Sequence, residues 1–402
     1  MSWLIFNGQV ARPSAPAANK QLLYYWAPDE SIHALDDDGV DATLTPNGWR
    51  DKNIMLNAGF LLWQRQTPET LTPYAANAGA RTFGADRWGM TIESSSVEAR
   101  RVDTGGAPET GLTAEYYARF KQITAVGKLV LSQVAIGRQS IPLRAKSVRV
   151  QCVLRRAVAA AMTIRIGLIA LGSTGTIDVI PNPWITAVNG NGVDPTLGAN
   201  LMYVVPRLPE GGVVLGNAIS CSLTTTWGRY GGVFDVPAGT KNLIMAVWTN
   251  DQLSINDEIL LSEAGLFEGE ERRLWVPWPY SLDVNTSQAY YLKTFPIDIG
   301  PVQNAGLPGS IRCPVTTAGA VTNSICGQWR FPTRMRATPS PVTFYNPLAA
   351  HAFVQNTSRI SAATATSAAN ACDTSLDYNA TGAAPWAIGD SISVQITAEA
   401  EI

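Results

Sequence analysis

The sequence is short of charged residues and of long apolar runs. Of its 402 residues only 15% are charged, against ~25% in typical domains, and the formal net charge is −2. The chain has no excess of basic residues, so its charge does not favour nucleic acid or an anionic membrane surface as a partner. The longest apolar stretch, 157–171, contains Arg165 and is shorter than the ~20 residues that a membrane helix needs. The opening residues lack the basic region of a signal peptide, so we expect a soluble protein without membrane insertion.

Cysteine and histidine are too scarce and scattered for the common catalytic and metal sites. The five cysteines lie far apart without a Cys-x-x-Cys pair, which argues against a disulfide framework or a zinc site. The two histidines, His33 and His351, have no nucleophile or ligand pattern beside them. No phosphate-binding glycine loop is present either. We therefore expect buried free thiols and folding in a reducing cytoplasm, with no metal, no cofactor and no catalytic residue.

Two acidic clusters leave alternatives open. They are Asp36, Asp37, Asp38 and Asp41 near the start, and Glu263, Glu268, Glu270 and Glu271 later in the chain. The first resembles a calcium loop, but position 47 holds Asn instead of a closing Glu, which favours a solvated acidic hairpin. The second raises the alternative of a polysaccharide depolymerase, whose two carboxylates must stand ~5–10 Å apart. No partner motif accompanies it, so we expect a protein that is not an enzyme.

The spacing of apolar residues predicts an all-β chain in three parts. Residues 1–52 contain three short predicted strands, at 22–26, 32–35 and 40–44, which form a small meander. So small a sheet buries little apolar surface alone, so this part is interpreted as an attachment module. Its strand residues Tyr24, Tyr25 and Trp26 are the candidates for contact with a larger assembly.

Residues 53–275 show the period-two alternation of half-buried antiparallel strands. The clearest runs are Ser147–Leu154, Met162–Leu171 and Lys241–Thr249, and turns rather than helical patterns separate them. This favours a sandwich over a parallel α/β fold. The stretch 172–220 is rich in Gly and Pro, which predicts an insertion at one end of the sandwich, where binding loops often lie.

Residues 276–402 form the predicted C-terminal β domain. Ser281–Leu292 is predicted to be a short helix, capped by Ser281 or Asp283. Strands are expected around 342–345, 352–354 and 392–396. The small residues of 361–370 fit either a helix or a strand, and their alternation with Thr favours a strand.

Three motifs are each built around an aromatic residue and an arginine. They are LLWQRQ at 61–66, ADRWGM at 85–90 and QWRFPTRMRATP at 328–339. In this order they resemble parts of one family of phage tail-fibre and appendage proteins. The run from Thr226 to Gly239, the EILLSEAGLFEG segment at 258–269 and the terminal AEAEI fit the same order. The sequence departs from the family at Gln66, Ser287 and Ala289, where Gly, Cys and Arg are usual. The resemblance implies a jelly roll like that of carbohydrate-binding modules, an N-terminal segment joined to the virion, and a homotrimer.

Several residues are candidates for ligand contact. Trp184, which follows Pro183 in the insertion, is predicted to be an exposed platform for a sugar, with Tyr203 as a weaker companion. Arg334 and Arg336 share one face of a predicted strand and suit either ion pairs at an interface or an acidic glycan. Trp63 and Trp88 fit core packing better than sugar stacking. Arg65 and Arg87 are expected to pair with carboxylates such as Asp86 or Glu263.

These observations together predict a virion appendage that is made in the host cytoplasm and binds a host-surface glycan without chemistry. Its other expected partners are tail, collar or capsid proteins and further copies of itself. Two alternatives stay open at this point. One is a purely structural component, such as a capsid decoration or a collar fibre, and the other is the depolymerase.

Overall fold

The N-terminal strands form a sheet of their own. The computed structural model describes residues 53–401, apart from 78, 107–108, 159–161, 190, 315–318, 348–353, 356–364, 387 and 389–390, and the backbone of four strands before them. The four strands are β1 (Gly8–Gln9), β2 (Leu22–Trp26), β3 (Ser31–Leu35) and β4 (Asp41–Thr43). They pair in the order β1-β2-β3-β4, so the three predicted strands are confirmed. Asp36, Asp37 and Asp38 lie outside the described residues.

The middle of the chain folds into two antiparallel sheets. Its elements, in chain order, are β5 (Thr72–Ala75), β6 (Thr82–Phe83), β7 (Gly89–Ile92), β8 (Ser96–Asp103), β9 (Tyr116–Gln122), β10 (Leu129–Ala135), α1 (Gly137–Ser140), a 3-10 turn (Ile141–Leu143), β11 (Ser147–Arg156), β12 (Met162–Leu171), β13 (Ile185–Ala187), β14 (Thr196–Leu197), β15 (Leu201–Val204), β16 (Pro206–Glu210), β17 (Val213–Leu215), β18 (Ala218–Leu223), β19 (Gly228–Asp235), β20 (Asn242–Thr249) and β21 (Glu258–Glu268). The first sheet has the order β16-β19-β11-β21-β9-β8-β5. The second has the order β17-β18-β12-β20-β10-β7-β6, with β15 also paired to β12.

The connections between these strands make the sandwich a jelly roll. From β9 to β12, and again from β18 to β21, successive strands alternate between the two sheets. The three runs singled out in the sequence become β11, β12 and β20. The predicted antiparallel jelly-roll sandwich is therefore confirmed.

Period-two patterning places one side of each strand in the core between the sheets. On β11 the inward residues are Val148, Val150, Cys152 and Leu154, all with 0% exposure. Fully burying one such aliphatic side chain contributes ~1.5–3 kcal/mol. Cys152 and Cys221 are buried free thiols, as expected, whereas Cys372 is partly exposed.

The outer face of the second sheet is covered by residues 172–200, here called the covering insertion. Every residue of β20 is buried, although a half-buried strand was predicted. The reason is that Ile180, Trp184 and Ile185 pack on outward residues of β10, β12 and β20, among them Trp248. The covering insertion therefore seals a sheet face and does not form free loops at one end of the sandwich. Residues 201–220, which the sequence assigned to the same insertion, instead supply β15, β16, β17 and the start of β18.

The C-terminal part begins with a helix and continues as two further sheets. Its elements are α2 (Tyr280–Gln288), β22 (Tyr291–Lys293), β23 (Ile311–Pro314), β24 (Gly319–Arg330), β25 (Val342–Tyr345), β26 (Val354–Gln355), β27 (Ala365–Ala369), β28 (Ser375–Trp386) and β29 (Ser391–Glu399). Strand β29 pairs with β22, β23, β25 and β26, and β24-β28-β27 form the other sheet. Side chains of both sheets share one core that includes Leu292, Trp329, Leu376, Tyr378 and Ile396. The predicted C-terminal β-sandwich is confirmed.

Two details of the C-terminal prediction are wrong. The helix ends at Gln288, and 291–293 belong to β22, because Tyr291 and Leu292 are needed in the sheet beside β29. Its N-cap is Pro279, without a side-chain hydrogen bond, so neither Ser281 nor Asp283 caps it. The strands predicted near 342–345 and 392–396 are confirmed, and 365–369 is a strand.

The described strands of the jelly roll and of the C-terminal part belong to separate sheets. The boundaries 52/53 and 275/276 stay predictions. Within the described residues, helices are too short or too polar to span a bilayer.

Candidate functional site

The structure does not bring the ligand residues predicted from the sequence together. Trp184 is 1% exposed, and its indole nitrogen donates to Thr91 Oγ1 at 2.9 Å. The prediction of an exposed platform at Trp184 is therefore wrong, because the ring fills the interface between the covering insertion and the second sheet. Tyr203 is half-buried against Trp248, and its hydroxyl donates to the carbonyl of Pro195 at 2.7 Å.

The two candidate arginines have different surroundings, and both lie in the C-terminal part. Arg336 donates to the main-chain carbonyls of Ala400 and Glu401, at 3.0 and 3.4 Å. It therefore holds the last described residues in place. Arg334 is exposed and pairs with Asp373 at 2.6 Å. A contact between Arg334 and an acidic glycan stays a prediction. The anchoring role of Tyr24, Tyr25 and Trp26 also stays a prediction, because the structure describes only the backbone of these residues.

The motifs behind the family resemblance meet where the jelly roll contacts the C-terminal part. We call the five residues Arg65, Asp86, Arg87, Glu399 and Glu401 the junction cluster. Arg65 pairs with Asp86 at 3.3 Å, with Glu401 at 3.1 Å and with Glu399 at 3.4 Å. Arg87 pairs with Glu401 and donates to a main-chain carbonyl of β10 at 2.9 Å. The motifs thus join two parts of the molecule.

Aromatic rings complete the junction cluster. The guanidinium of Arg87 lies 3.5 Å from the ring centre of Tyr290, and that of Arg65 lies 4.1 Å from that of Tyr291. Burial alone would raise the pKa of Glu401, but the charges of Arg87, Arg65 and Arg81 outweigh it and lower that pKa. Glu401 is therefore ionised, as a buried ion pair requires.

The sequence interpretation of these motifs is confirmed in most respects. Trp63 and Trp88 are core residues with 1% exposure each. Arg65 pairs with Asp86 as expected. The pairing with Glu263 is wrong, because that carboxylate binds Arg229 at 3.2 Å and accepts from the amide of Ala114 at 3.0 Å.

The later acidic residues of the depolymerase alternative also have structural partners. Glu268 pairs with Lys146 at 2.9 Å, and Glu270 pairs with Arg207. Within the part of the chain that the structure describes, no group of three or more acidic, histidine or cysteine side chains is placed to hold a metal ion.

A cavity of about 520 Å³ opens between segments 58–61, 113–116 and 275–283, and we call it the aromatic cleft. Its aromatic lining consists of Tyr116, Trp275, Trp278 and Tyr280. Trp275 is anchored in the jelly-roll core, Trp278 is half-buried, and Tyr280 is 53% exposed. Rings in such a graded arrangement offer apolar faces to a ligand without losing their support. Aromatic faces and a few placed polar groups are typical of small-molecule sites.

Gly59 makes room for this lining. A Cβ atom at position 59 would stand 2.6 Å from a ring carbon of Trp275, which is closer than packed atoms approach. The absence of a Cβ atom at Gly59 therefore lets the indole pack closely against the main chain there. The sequence places Gly59 and Trp275 far apart, and only the fold makes them neighbours.

Two carboxylates stand in the aromatic cleft. Glu115 is exposed, whereas Asp283 is only 6% exposed and accepts from the amide of Asn57 at 3.0 Å. Burial raises the pKa of Asp283 to about 6, although that hydrogen bond lowers it and the Asp86 charge adds to the increase. The cleft therefore combines aromatic faces with a carboxylate of known orientation.

We expect Asp283→Asn to stabilise the protein at pH 7 by about 1–2 kcal/mol. The folded pKa lies above the unfolded value of 3.8, so the folded state binds the extra proton between these values. Stability is thus lost as pH rises from about 4 to 6. Asparagine stays neutral and still accepts from the Asn57 amide. Urea unfolding of both proteins at pH 4.5 and pH 7 measures the difference, and exposed Asp251→Asn is the control. A variant no more stable than the native chain at pH 7 would contradict the assignment.

The sequence did carry a sign of the aromatic cleft. The run WVPWPY at 275–280 alternates aromatic rings with prolines, and prolines hold a chain extended. A domain junction explains the same prolines equally well, so the run alone does not predict a cavity. The opposite wall, at 113–116, has no comparable signal in the sequence.

Comparisons with known proteins give no family and no curated relative, since neither search produced a match. Partial likeness to solved structures is found. A carbohydrate-binding module in complex with β-1,4-galactotriose has 13% identity over 54% of this chain and 99% of its own, with a TM-score of 0.29. A xylan-binding domain from Paenibacillus barcinonensis has 9% identity over 56% of this chain and 99% of its own, with a TM-score of 0.28.

A phage protein is also among the similar structures. The enzymatically active domain of tailspike protein 4 of bacteriophage CBA120 has 11% identity over 54% of this chain, with a TM-score of 0.28. This chain spans only 21% of that one. At these identities and TM-scores the likeness carries no argument about ligand, assembly or activity.

Proposed function

We propose that this protein is a non-enzymatic phage virion appendage that attaches to a glycan of the host surface. The aromatic cleft carries the proposal, because aromatic rings that line one cavity with a buried carboxylate suit the apolar faces and hydroxyl groups of a sugar. The order of the three motifs supports a phage appendage. The junction cluster, in which the first two motifs meet the terminal AEAEI segment, supports a stiff connection between two β domains, which an appendage needs.

The rest of the assembly follows from the same proposal. The N-terminal sheet, with Tyr24, Tyr25 and Trp26 in β2, joins the protein to the tail, collar or head of the virion. The protein acts as a homotrimer. The three equivalent clefts of one trimer would raise the overall affinity by a factor of ~10²–10⁴ over that of a single weak site.

Glycan binding by cleft variants tests the proposal. We expect Tyr280→Ala to weaken glycan binding about tenfold, since the loss of one aromatic contact is worth ~1–1.5 kcal/mol. Tyr280 is largely exposed, so the variant should fold normally. The measurement is the dissociation constant of purified native and variant protein for glycans selected on a bacterial glycan array. Val302→Ala, at a similarly exposed position of the C-terminal part outside the cleft, is the control and should bind like the native chain, and Arg334→Ala tests the rival contact at that arginine.

The outcome separates this proposal from its rivals. Binding lost in Arg334→Ala but kept in Tyr280→Ala would move the site to the C-terminal domain. Absence of binding to every host glycan, together with tight binding to tail or capsid proteins, would favour a purely structural component. Shortening of a host polysaccharide during incubation would favour a depolymerase.

A further inference from the structure

The charged groups of the aromatic cleft are all of one sign. Its lining includes the carboxylates Glu115 and Asp283, and no Lys or Arg occurs among its described lining residues. The guanidinium of Arg101 lies 4.6 Å from the ring centre of Tyr116. That cation pairs with Glu69 at 2.8 Å and donates to the carbonyl of Leu61 at 2.7 Å. Leu61 and Tyr116 line the cleft, so this guanidinium stands at the cleft wall, but Glu69 balances its charge, and the two lining carboxylates leave the cleft negative.

Asp283 has unused capacity to accept hydrogen bonds. Its Oδ1 accepts from the amide of Asn57, and no second partner of this carboxylate occurs among the described residues. An ionised carboxylate accepts several hydrogen bonds through its two oxygens. Because the side chain is buried, its orientation is fixed before a ligand arrives. A ligand that donates to Asp283 would therefore form a charge-assisted hydrogen bond without first ordering the acceptor.

From this geometry we infer that the aromatic cleft selects sugars without negative charge. A neutral or amino sugar donates hydroxyl or ammonium hydrogens to Asp283 and Glu115 while its apolar face rests on Trp278 and Tyr280. A uronic acid, a sialic acid or a phosphorylated sugar would bring a second negative charge toward two carboxylates, and repulsion between like charges rejects it. The inference rests on the proposed glycan-binding function and narrows its ligand class.

The first test is an array of oligosaccharides matched in size and linkage but neutral, amino-bearing or acidic. We expect the native protein to bind neutral or amino sugars and to bind acidic sugars at least about tenfold more weakly. This corresponds to a difference in binding free energy of ~1.4 kcal/mol. Preference for acidic glycans would contradict the inferred selection against negative charge, but it would still support glycan attachment. Absence of binding to every glycan would reject the attachment function itself, and the inferred selection with it.

Charge reversal at Glu115 gives the second test. Glu115 is exposed, so Glu115→Lys should fold normally, and we expect it to raise the affinity for acidic oligosaccharides about tenfold at low salt. The gain should shrink in 0.5 M salt, since screening weakens interactions between exposed charges. Asp251→Lys makes the same change in net charge at an exposed site outside the cleft, and it should bind as the native protein does. Equal preferences in all three proteins would contradict the inference.

Asp283→Asn provides an independent check. The amide keeps one acceptor oxygen and loses the charge, so we expect weaker binding of the selected neutral or amino sugar, by about fivefold, in a protein that is more stable. Weaker binding together with higher stability cannot come from damage to the fold. Unchanged binding would remove Asp283 from the site.

Discussion

Replacing Arg87 by alanine is expected to lower the free energy of unfolding by about 3 kcal/mol. The guanidinium is only 3% exposed, pairs with Glu401 and lies over the ring of Tyr290. Its removal leaves a buried carboxylate with too little compensation, and breaking buried pairs in this way costs about 3–5 kcal/mol. Arg65 stays 3.1 Å from Glu401, which places the expected loss at the low end. Urea unfolding followed by tryptophan fluorescence measures it.

The matched control is the same substitution in an exposed ion pair. Arg334 is 76% exposed and pairs with Asp373, and such surface pairs contribute only ~0–1 kcal/mol. Arg334→Ala should therefore leave the unfolding curve almost unchanged. Equal effects of the two substitutions would mean that the junction cluster adds no more than a surface pair, and the proposed stiff connection between the domains would lose its basis.

Replacing Trp184 by alanine should destabilise the jelly roll by about 3–5 kcal/mol, the usual loss when a large buried aromatic side chain is truncated. The ring is buried between the covering insertion and the second sheet, and its nitrogen donates to Thr91. Without it, the insertion loses its main apolar contact. We expect a lower urea midpoint and faster cleavage within 172–200 by a protease.

Val205→Ala serves as the reference for this substitution. Val205 follows β15 and is 60% exposed, so its truncation should change stability by less than ~0.5 kcal/mol. Slow proteolysis and a near-native midpoint in Trp184→Ala would show that the insertion is held by other contacts. An effect of Trp184→Ala on glycan binding alone, without loss of stability, would restore the ring as a ligand contact.

The strands of the jelly roll were predictable because their signal is local. In β11 each second residue is apolar from Val148 to Leu154, and such alternation fits an extended chain with one buried face. The burial of Trp184 was not predictable from its neighbours, since Pro183 and the surrounding loop residues resemble a free surface loop. The better sign lay elsewhere. β20 is apolar on both faces, as LIMAVW in 243–248 shows, and a strand of that kind needs cover on both sides.

In the candidate site, too, contacts between residues near each other in sequence were predictable and contacts between distant residues were not. Arg65 and Asp86 are close in sequence and belong to motifs, so their pairing could be anticipated. Glu401 lies more than three hundred residues from either, and one sequence holds no sign of such a partner. The aromatic cleft depends on Gly59, Tyr116 and Trp278, which come from three separate segments. Composition predicts rings and turns, but only the chain path brings these rings to one cavity.

The covering insertion also makes parts of the molecule unequal in their tolerance of substitution. A sheet face that is sealed by its own chain tolerates few substitutions, because each change there alters packing on two sides. Exposed residues at the rim of the aromatic cleft, such as Val276 and Tyr280, pack on few neighbours and tolerate change more readily. Substitutions within 276–282 should therefore cost little folding stability, whereas most substitutions on the sealed sheet face should destabilise the protein.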